Sequence, residues 1–125
     1  MKNVKFKAKR FDNGEWVVGS LIKNTAGIEE RAYIVDNFNS MSDYSVIGID
    51  PYTVCQFTGL KDCNGEEIFE HDLIHFVGYE PTAEVIWSED DYAFMTTSDM
   101  NLFLLSDVID VGKIEVVGNK FNKKK

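Results

Sequence analysis

Gln56-Phe57-Thr58-Gly59-Leu60-Lys61-Asp62-Cys63-Asn64-Gly65-Glu66-Glu67-Ile68-Phe69-Glu70-His71-Asp72-Leu73-Ile74 packs three turn signals into one short span. Thr58-Gly59 is read as the end of an apolar strand, where glycine relieves the steric cost of turning. Asn64-Gly65 is the strongest short hairpin signal, because a type I′ turn needs positive φ at both central residues. The run from Ile68 to Val77 then starts a new strand after a sharp corner at Glu70-His71-Asp72. Such a corner suits a small, strongly curved barrel. No reacting group is needed to explain any of these residues.

The same stretch resembles the YopX-like proteins of phages and prophages. The matching residues are Gln56, Phe57, Thr58, Gly59, Leu60, Asp62, Asn64, Gly65, Ile68, Phe69, Glu70, Asp72 and Leu73. Lys5-Phe6-Lys7-Ala8 at the start and Glu115-Val116-Val117-Gly118-Asn119 near the end also match, whereas residues 24–48 do not. His71 stands where the family usually has glycine, which implies either a less tight corner or a histidine in the left-handed region. The resemblance implies an α+β N-terminal part, an SH3-like β-barrel C-terminal part, and no known activity. The fold expectation is therefore mostly β: an N-terminal α+β subdomain over residues 1–65, an SH3-like barrel over 66–121, and a basic tail over 122–125.

Length and composition set the outer bounds. The 125 residues make one domain or two joined subdomains, and 44% hydrophobic residues suffice for a core. There is no apolar run long enough to span a membrane and no signal-peptide pattern, so the expectation is a soluble protein in the cytoplasm of a bacterial host. Cys55 and Cys63 are too few for a disulfide framework and read as free thiols.

Charge is segregated along the chain. Nine of the 13 basic residues lie in the first ten or last six positions. The stretch between holds only Lys23, Arg31, Lys61 and Lys113 against all 21 acidic residues, a net charge of −17. The plain account is that basic termini offset the self-repulsion of an acidic body.

The periodicity gives a coarse path. Val4, Phe6 and Ala8 alternate with Lys5, Lys7 and Lys9, the pattern of a half-buried strand with a lysine stripe. Asp12-Asn13-Gly14 turns the chain into a second strand, with Trp16, Val18 and Leu21 inward and a bulge expected at Gly19. Short strands are expected over 31–36, 45–49 and 53–57, with Asp50 capping a turn at Pro51. The inward pair of the first is either Ala32 and Ile34 or Tyr33 and Val35. Asn37 to Tyr44 reads as a loop. Strands over 71–79, 83–87, 92–97 and 113–121 follow, and Leu102 to Leu105 suits a short strand better than a helix. The expected core is Phe6, Trp16, Val54, Phe57, Leu60, Ile68, Leu73, Phe76, Val85, Trp87, Phe94, Ile114, Val116 and Phe121.

Three chemical readings compete with these structural ones. Cys55, Cys63, His71 and His75 supply metal-binding side chains, but on a strand residues four apart lie roughly 13 Å from each other at about 3.3 Å per residue. The close cysteine spacing of zinc sites is also missing. Glu66, Glu67, Glu70, His71 and Asp72 could supply a general base, yet turn charges are usually solvated, and Asp72 can instead accept backbone N–H bonds at the corner. Lys5, Lys7, Lys9 and Arg10 could neutralise phosphates, but edge-strand lysines also prevent aggregation, and the acidic middle repels nucleic acid.

The resemblance, together with the absence of catalytic motifs, implies a non-enzymatic phage or prophage accessory protein that binds another protein or itself, and the expectation is no cofactor, no metal and no membrane association. A patch of Tyr33, Phe38, Tyr44 or Tyr79 would mark such an interface. The alternatives are nucleic-acid binding by Lys5, Lys7, Lys9 and Arg10, or an acidic surface that competes for a DNA-binding protein through Asp36, Asp43, Asp90, Asp91, Asp99, Asp107 and Asp110. Gln56, Thr58, Gly59, Asp62, Asn64, Gly65, Glu70 and Asp72 are read as residues that define the fold.

Overall fold

The computed structural model describes residues 5–24, 31–36, 45–98 and 101–122. The chain divides into two compact units, Met1–Phe57 and Thr58–Lys125. Each has its own core.

In the first unit, β1 (Phe6–Lys9), β2 (Trp16–Asn24), β3 (Arg31–Asp36) and β4 (Ser45–Ile49) form an antiparallel meander. The start of β5 (Cys55–Lys61) lies on the other side of β1. The β1–β2 hairpin turns at Gly14, which has φ +77°, and closes with the Arg10 amide donating to the Glu15 carbonyl at 2.8 Å. Its pairing runs unbroken from Lys9↔Trp16 to Phe6↔Gly19. The bulge expected at Gly19 is therefore absent.

Gly19 has a different cause: a Cβ there would sit 2.3 Å from the Val35 carbonyl oxygen. Because the register never shifts, Val17 and Leu21 pack on the core of Ala8, Ala32, Ile34 and Ile49. Val18, expected inside, is 41% exposed. Ala32 and Ile34 are the inward pair of β3. A 3-10 turn over Pro51–Thr53 follows β4, with the Asp50 carboxylate accepting the Tyr52 amide at 3.0 Å. The Thr53 hydroxyl accepts the Lys9 amide and donates to the Asp50 carbonyl, which ties this turn to β1.

In the second unit, the remainder of β5 meets β6 (Glu67–Phe69). Beyond it, β7 (Asp72–Phe76), β8 (Ala83–Ser88), β9 (Ala93–Ser98), β10 (Asn101–Leu104) and β11 (Ile114–Asn119) form an antiparallel sheet in the order β10-β9-β8-β7-β11. A short helix, α1 (Leu105–Val111), separates β10 from β11. Ile68, Ile74, Val85, Leu105 and Ile114 form the buried centre.

Several expectations need correction. The chain is mostly β, but the described strands form no closed barrel: the five-stranded sheet ends at β10 and β11. The chain leaves β10 after four residues because Leu105, fully buried, turns the next segment into a helix over the sheet. The described residues of the first unit contain no α-helix, so the α+β character expected there is not seen; the described α-helix is α1. Thr58-Gly59 does not end a strand: Gly59, at φ +87°, lies inside β5, which continues to Lys61. In β7 the buried aliphatic residue is Ile74 rather than Leu73, since Asp72, Ile74 and Phe76 share the inner parity. Trp87 is only partly covered and packs edge-to-face on its cross-strand partner Phe94, with ring centroids 5.0 Å apart.

Candidate functional site

The Asp62 to Gly65 turn departs from the expected geometry. Gly65 has φ +85°, but Asn64 is not among the residues with positive φ, so this is no type I′ turn. The Gly65 amide bonds the Asp62 carbonyl at 3.1 Å and the Asp62 amide bonds the Glu66 carbonyl at 2.8 Å. That is a three-residue loop with glycine in the left-handed position, the next commonest hairpin solution.

Asp62 organises the turn. Its Oδ1 accepts the Asn64 and Glu66 amides at 2.8 and 2.9 Å, while Oδ2 accepts the Val116 amide of β11 at 2.9 Å. Asp72 does the same at the corner. It is 1% exposed, its Oδ2 accepts the Phe69 amide at 2.8 Å, and its Oδ1 accepts Asn119 Nδ2 at 2.8 Å. The two carboxylates thus tie the central motif to the middle and to the last residue of β11. Thr58 adds a third tie: its hydroxyl donates to the Ile68 carbonyl at 2.7 Å and accepts the Leu60 amide at 3.2 Å. Gln56 is exposed and pairs in register with Phe6.

The histidines are held by carboxylates. His71 sits in the left-handed region at φ +73°, where the family usually places glycine. Its Nδ1 lies 2.8 Å from Glu84 Oε2, its Nε2 3.6 Å from Glu70 Oε2, and its ring meets Phe121 edge-on. His75 Nε2 lies 2.8 Å from Glu115 Oε2. His71 therefore engages Glu84 and Glu70 and His75 engages Glu115, so these contacts do not bring the two imidazoles to a common partner. Cys55 is buried, with its thiol donating to the Thr53 carbonyl, whereas Cys63 is exposed at the turn. The described residues include no group of three or more His, Cys, Asp or Glu placed to hold a metal ion.

The basic stripe of β1 leans on aromatic rings. Lys5 Nζ lies 4.9 Å from the Phe57 ring centroid, and Lys7 and Lys9 lie 4.8 and 5.6 Å from that of Trp16. Arg10 is engaged by Asp12 through two hydrogen bonds, Nε to Oδ1 at 2.9 Å and Nη2 to Oδ2 at 3.0 Å. That hydrogen bonding lowers the Asp12 pKa and raises that of Arg10.

Of the aromatic residues singled out in the sequence, Tyr79 is 59% exposed and Tyr33 is half-buried, while Phe38 and Tyr44 lie outside the described residues. Among the acidic candidates, Asp90, Asp91, Asp107 and Asp110 are exposed. Asp43 and Asp99 lie outside the described residues, as does the side chain of Asp36.

Sequence reasoning missed an apolar groove of about 230 Å³ in the second unit, lined among others by Ile74, Phe76, Tyr79, Thr96, Phe103 and Val108. It lies over the sheet beside α1. Its rim includes β10, whose four residues are all exposed; Phe103 is 56% exposed and lies opposite Thr96 of β9. Among the described residues β10 has one strand neighbour, and it contains neither a charge nor a proline. Edge strands are usually blunted by such residues. The signal in the sequence was the uncharged run Asn101-Leu102-Phe103-Leu104, but nothing in it reveals on which side the sheet stops.

No helix among the described residues is long and apolar enough to cross a membrane. No curated protein matches the chain. The YopX protein family matches residues 5–124, nearly the whole chain, and the match takes in both carboxylate ties and the corner between them. The chain belongs to the YopX protein family.

Proposed function

We propose that this protein is a non-enzymatic protein-binding module, a phage or prophage accessory protein acting in the cytoplasm of the bacterial host. The observation that carries the reading is the groove of the second unit together with the uncharged open edge at β10. Apolar side chains around a concavity offer pockets, and an unpaired strand edge offers backbone donors and acceptors. The motif residues are consumed by the fold: Asp62, Asp72 and Thr58 spend their polar atoms on backbone and on Asn119. Five short antiparallel strands support an open relative of an SH3-like barrel as the description of this unit.

The test is site-specific photocrosslinking in infected or lysogenic cells. A photoreactive residue at Phe103 or Tyr79 captures a discrete second protein, whereas one at Val18 in the first unit does not. Equal capture at all three positions, or none, rejects the groove as the interface.

A second reading rests on β1. Lys5, Lys7 and Lys9 sit beside Phe57 and Trp16, the pairing of cations and rings that single-stranded nucleic acids use. It requires a gel shift with single-stranded DNA or RNA that weakens steeply with salt and disappears in Lys5→Glu/Lys7→Glu. No shift at low salt removes it.

A further inference from the structure

The charge of the chain is unevenly divided between its units. Residues 1–57 hold seven acidic and seven basic residues, whereas residues 58–125 hold 14 acidic and six basic. The imbalance is steeper still around the groove. Residues 62–112 contain 13 Asp or Glu and no Lys or Arg. That span supplies β6 through β10, α1, and all the groove's lining residues except Ile114. Exposed Glu80 adjoins Tyr79 in the chain, and exposed Asp107 and Asp110 flank Val108 on α1.

An apolar concavity set in a wholly acidic segment selects its partner by sign. Like charge disfavours a second copy of this unit, and complementary charge favours a cation. The backbone contributes a second constraint. At an open, uncharged edge four residues long, an extended segment can add as a further strand, with alternate side chains reaching one face. Phe103 faces the groove, so the partner's inward side chains meet it there.

Resting on the proposed protein-binding role, we infer that the occupant is an extended segment of another protein that pairs with β10, places one or two large apolar side chains in the groove, and carries lysine or arginine on its flanks. The flanking cations are drawn to the acidic residues that adjoin the lining in the chain, Glu80, Asp107 and Asp110, which raises the encounter rate and sets specificity, while the apolar anchors hold the complex.

The full-length protein tests this with three fluorescein-labelled ten-residue peptides, read by anisotropy. One has alternating valine and phenylalanine at its centre and lysine flanks. The second has the same centre with glutamate flanks. The third has the lysine flanks with two central prolines. The lysine-flanked peptide should bind at least about tenfold more tightly than either other peptide. Raising the salt should weaken it several-fold through screening. Phe103→Lys should abolish binding without lowering the melting temperature, since the position is exposed.

Equal binding of the lysine- and glutamate-flanked peptides, lost in Phe103→Lys, overturns the cationic partner but leaves the groove reading standing. Binding of the proline peptide as well as its parent overturns strand addition. If no peptide binds and sedimentation shows a dimer that Phe103→Lys dissolves, the occupant is a second copy and the inference falls. If no peptide binds and the protein is a monomer, the inference falls, and the photocrosslinking result alone decides the wider role.

Discussion

Replacing Asp62 with alanine tests whether the family motif is a structural fastening. The side chain is 8% exposed and accepts three backbone amides at 2.8–2.9 Å. Two of these, from Asn64 and Glu66, sit at a turn where water can replace the lost acceptor, so each should cost about 0.5–1.5 kcal/mol. The third, from Val116, lies where β11 pairs with β7 next to a register shift. Leaving that donor without a partner should cost about 1–3 kcal/mol. The sum is about 2–6 kcal/mol, a large share of the roughly 5–15 kcal/mol available to an ordinary domain. The assay is urea unfolding followed by tryptophan fluorescence in a Trp16→Phe background, which leaves Trp87 of the second unit as the reporter. Asp62→Ala should move the midpoint down without changing the slope, and Asp62→Asn should fall between it and the parent. A loss below about 0.5 kcal/mol, the scale of a neutral surface change, would refute the reasoning.

Three further outcomes follow from particular positions. Gly65→Val should cost about 1–3 kcal/mol, because φ is +85° there; no atom lies near enough for a clash, so a variant that melts with its parent would show the backbone escaping the left-handed region. Gly19→Ala should destabilise the first unit by about 1–3 kcal/mol or more, because the added carbon would meet the Val35 carbonyl; urea unfolding read by Trp16 in a Trp87→Phe background checks it. The Asp12 carboxyl should titrate below the ordinary aspartate value by NMR, chiefly through its hydrogen bond from Arg10, and Arg10→Gln should return it. Because the folded pKa is the lower one, any stabilisation by this pair is present at neutral pH and is lost as pH falls through that pKa.

What the sequence disclosed was mostly local. The β1–β2 hairpin, the Asp50 cap and the N–H bonds accepted by Asp72 at the corner could be read because each depends on residues a few positions apart. The left-handed His71 was legible only through comparison with a glycine in the family pattern. Errors arose where distant partners decided the outcome. Gly19 looked like a bulge, but its absent side chain answers to the Val35 carbonyl on β3. Leu73 and Ile74 are equally apolar, and only the inward placement of Asp72 fixes which of them faces the core. The groove was the least visible feature. Its lining comes from five strands, a helix and the Tyr79 to Thr82 loop, and no periodicity spans that distance.

The contrast between the two cysteines gives the protein an internal clock. Cys63 stands exposed on the three-residue loop that Asp62 organises, while Cys55 is sealed at 0% exposure in the first unit. An alkylating reagent should therefore reach Cys63 directly and Cys55 only during transient openings of its unit. Under fast reclosing, the Cys55 rate divided by its rate in the unfolded chain equals the equilibrium constant for that opening, with Cys63 as the internal control for reagent activity. Mass spectrometry of the singly and doubly modified chain would then read the local stability of the first unit under native conditions, without any engineered probe.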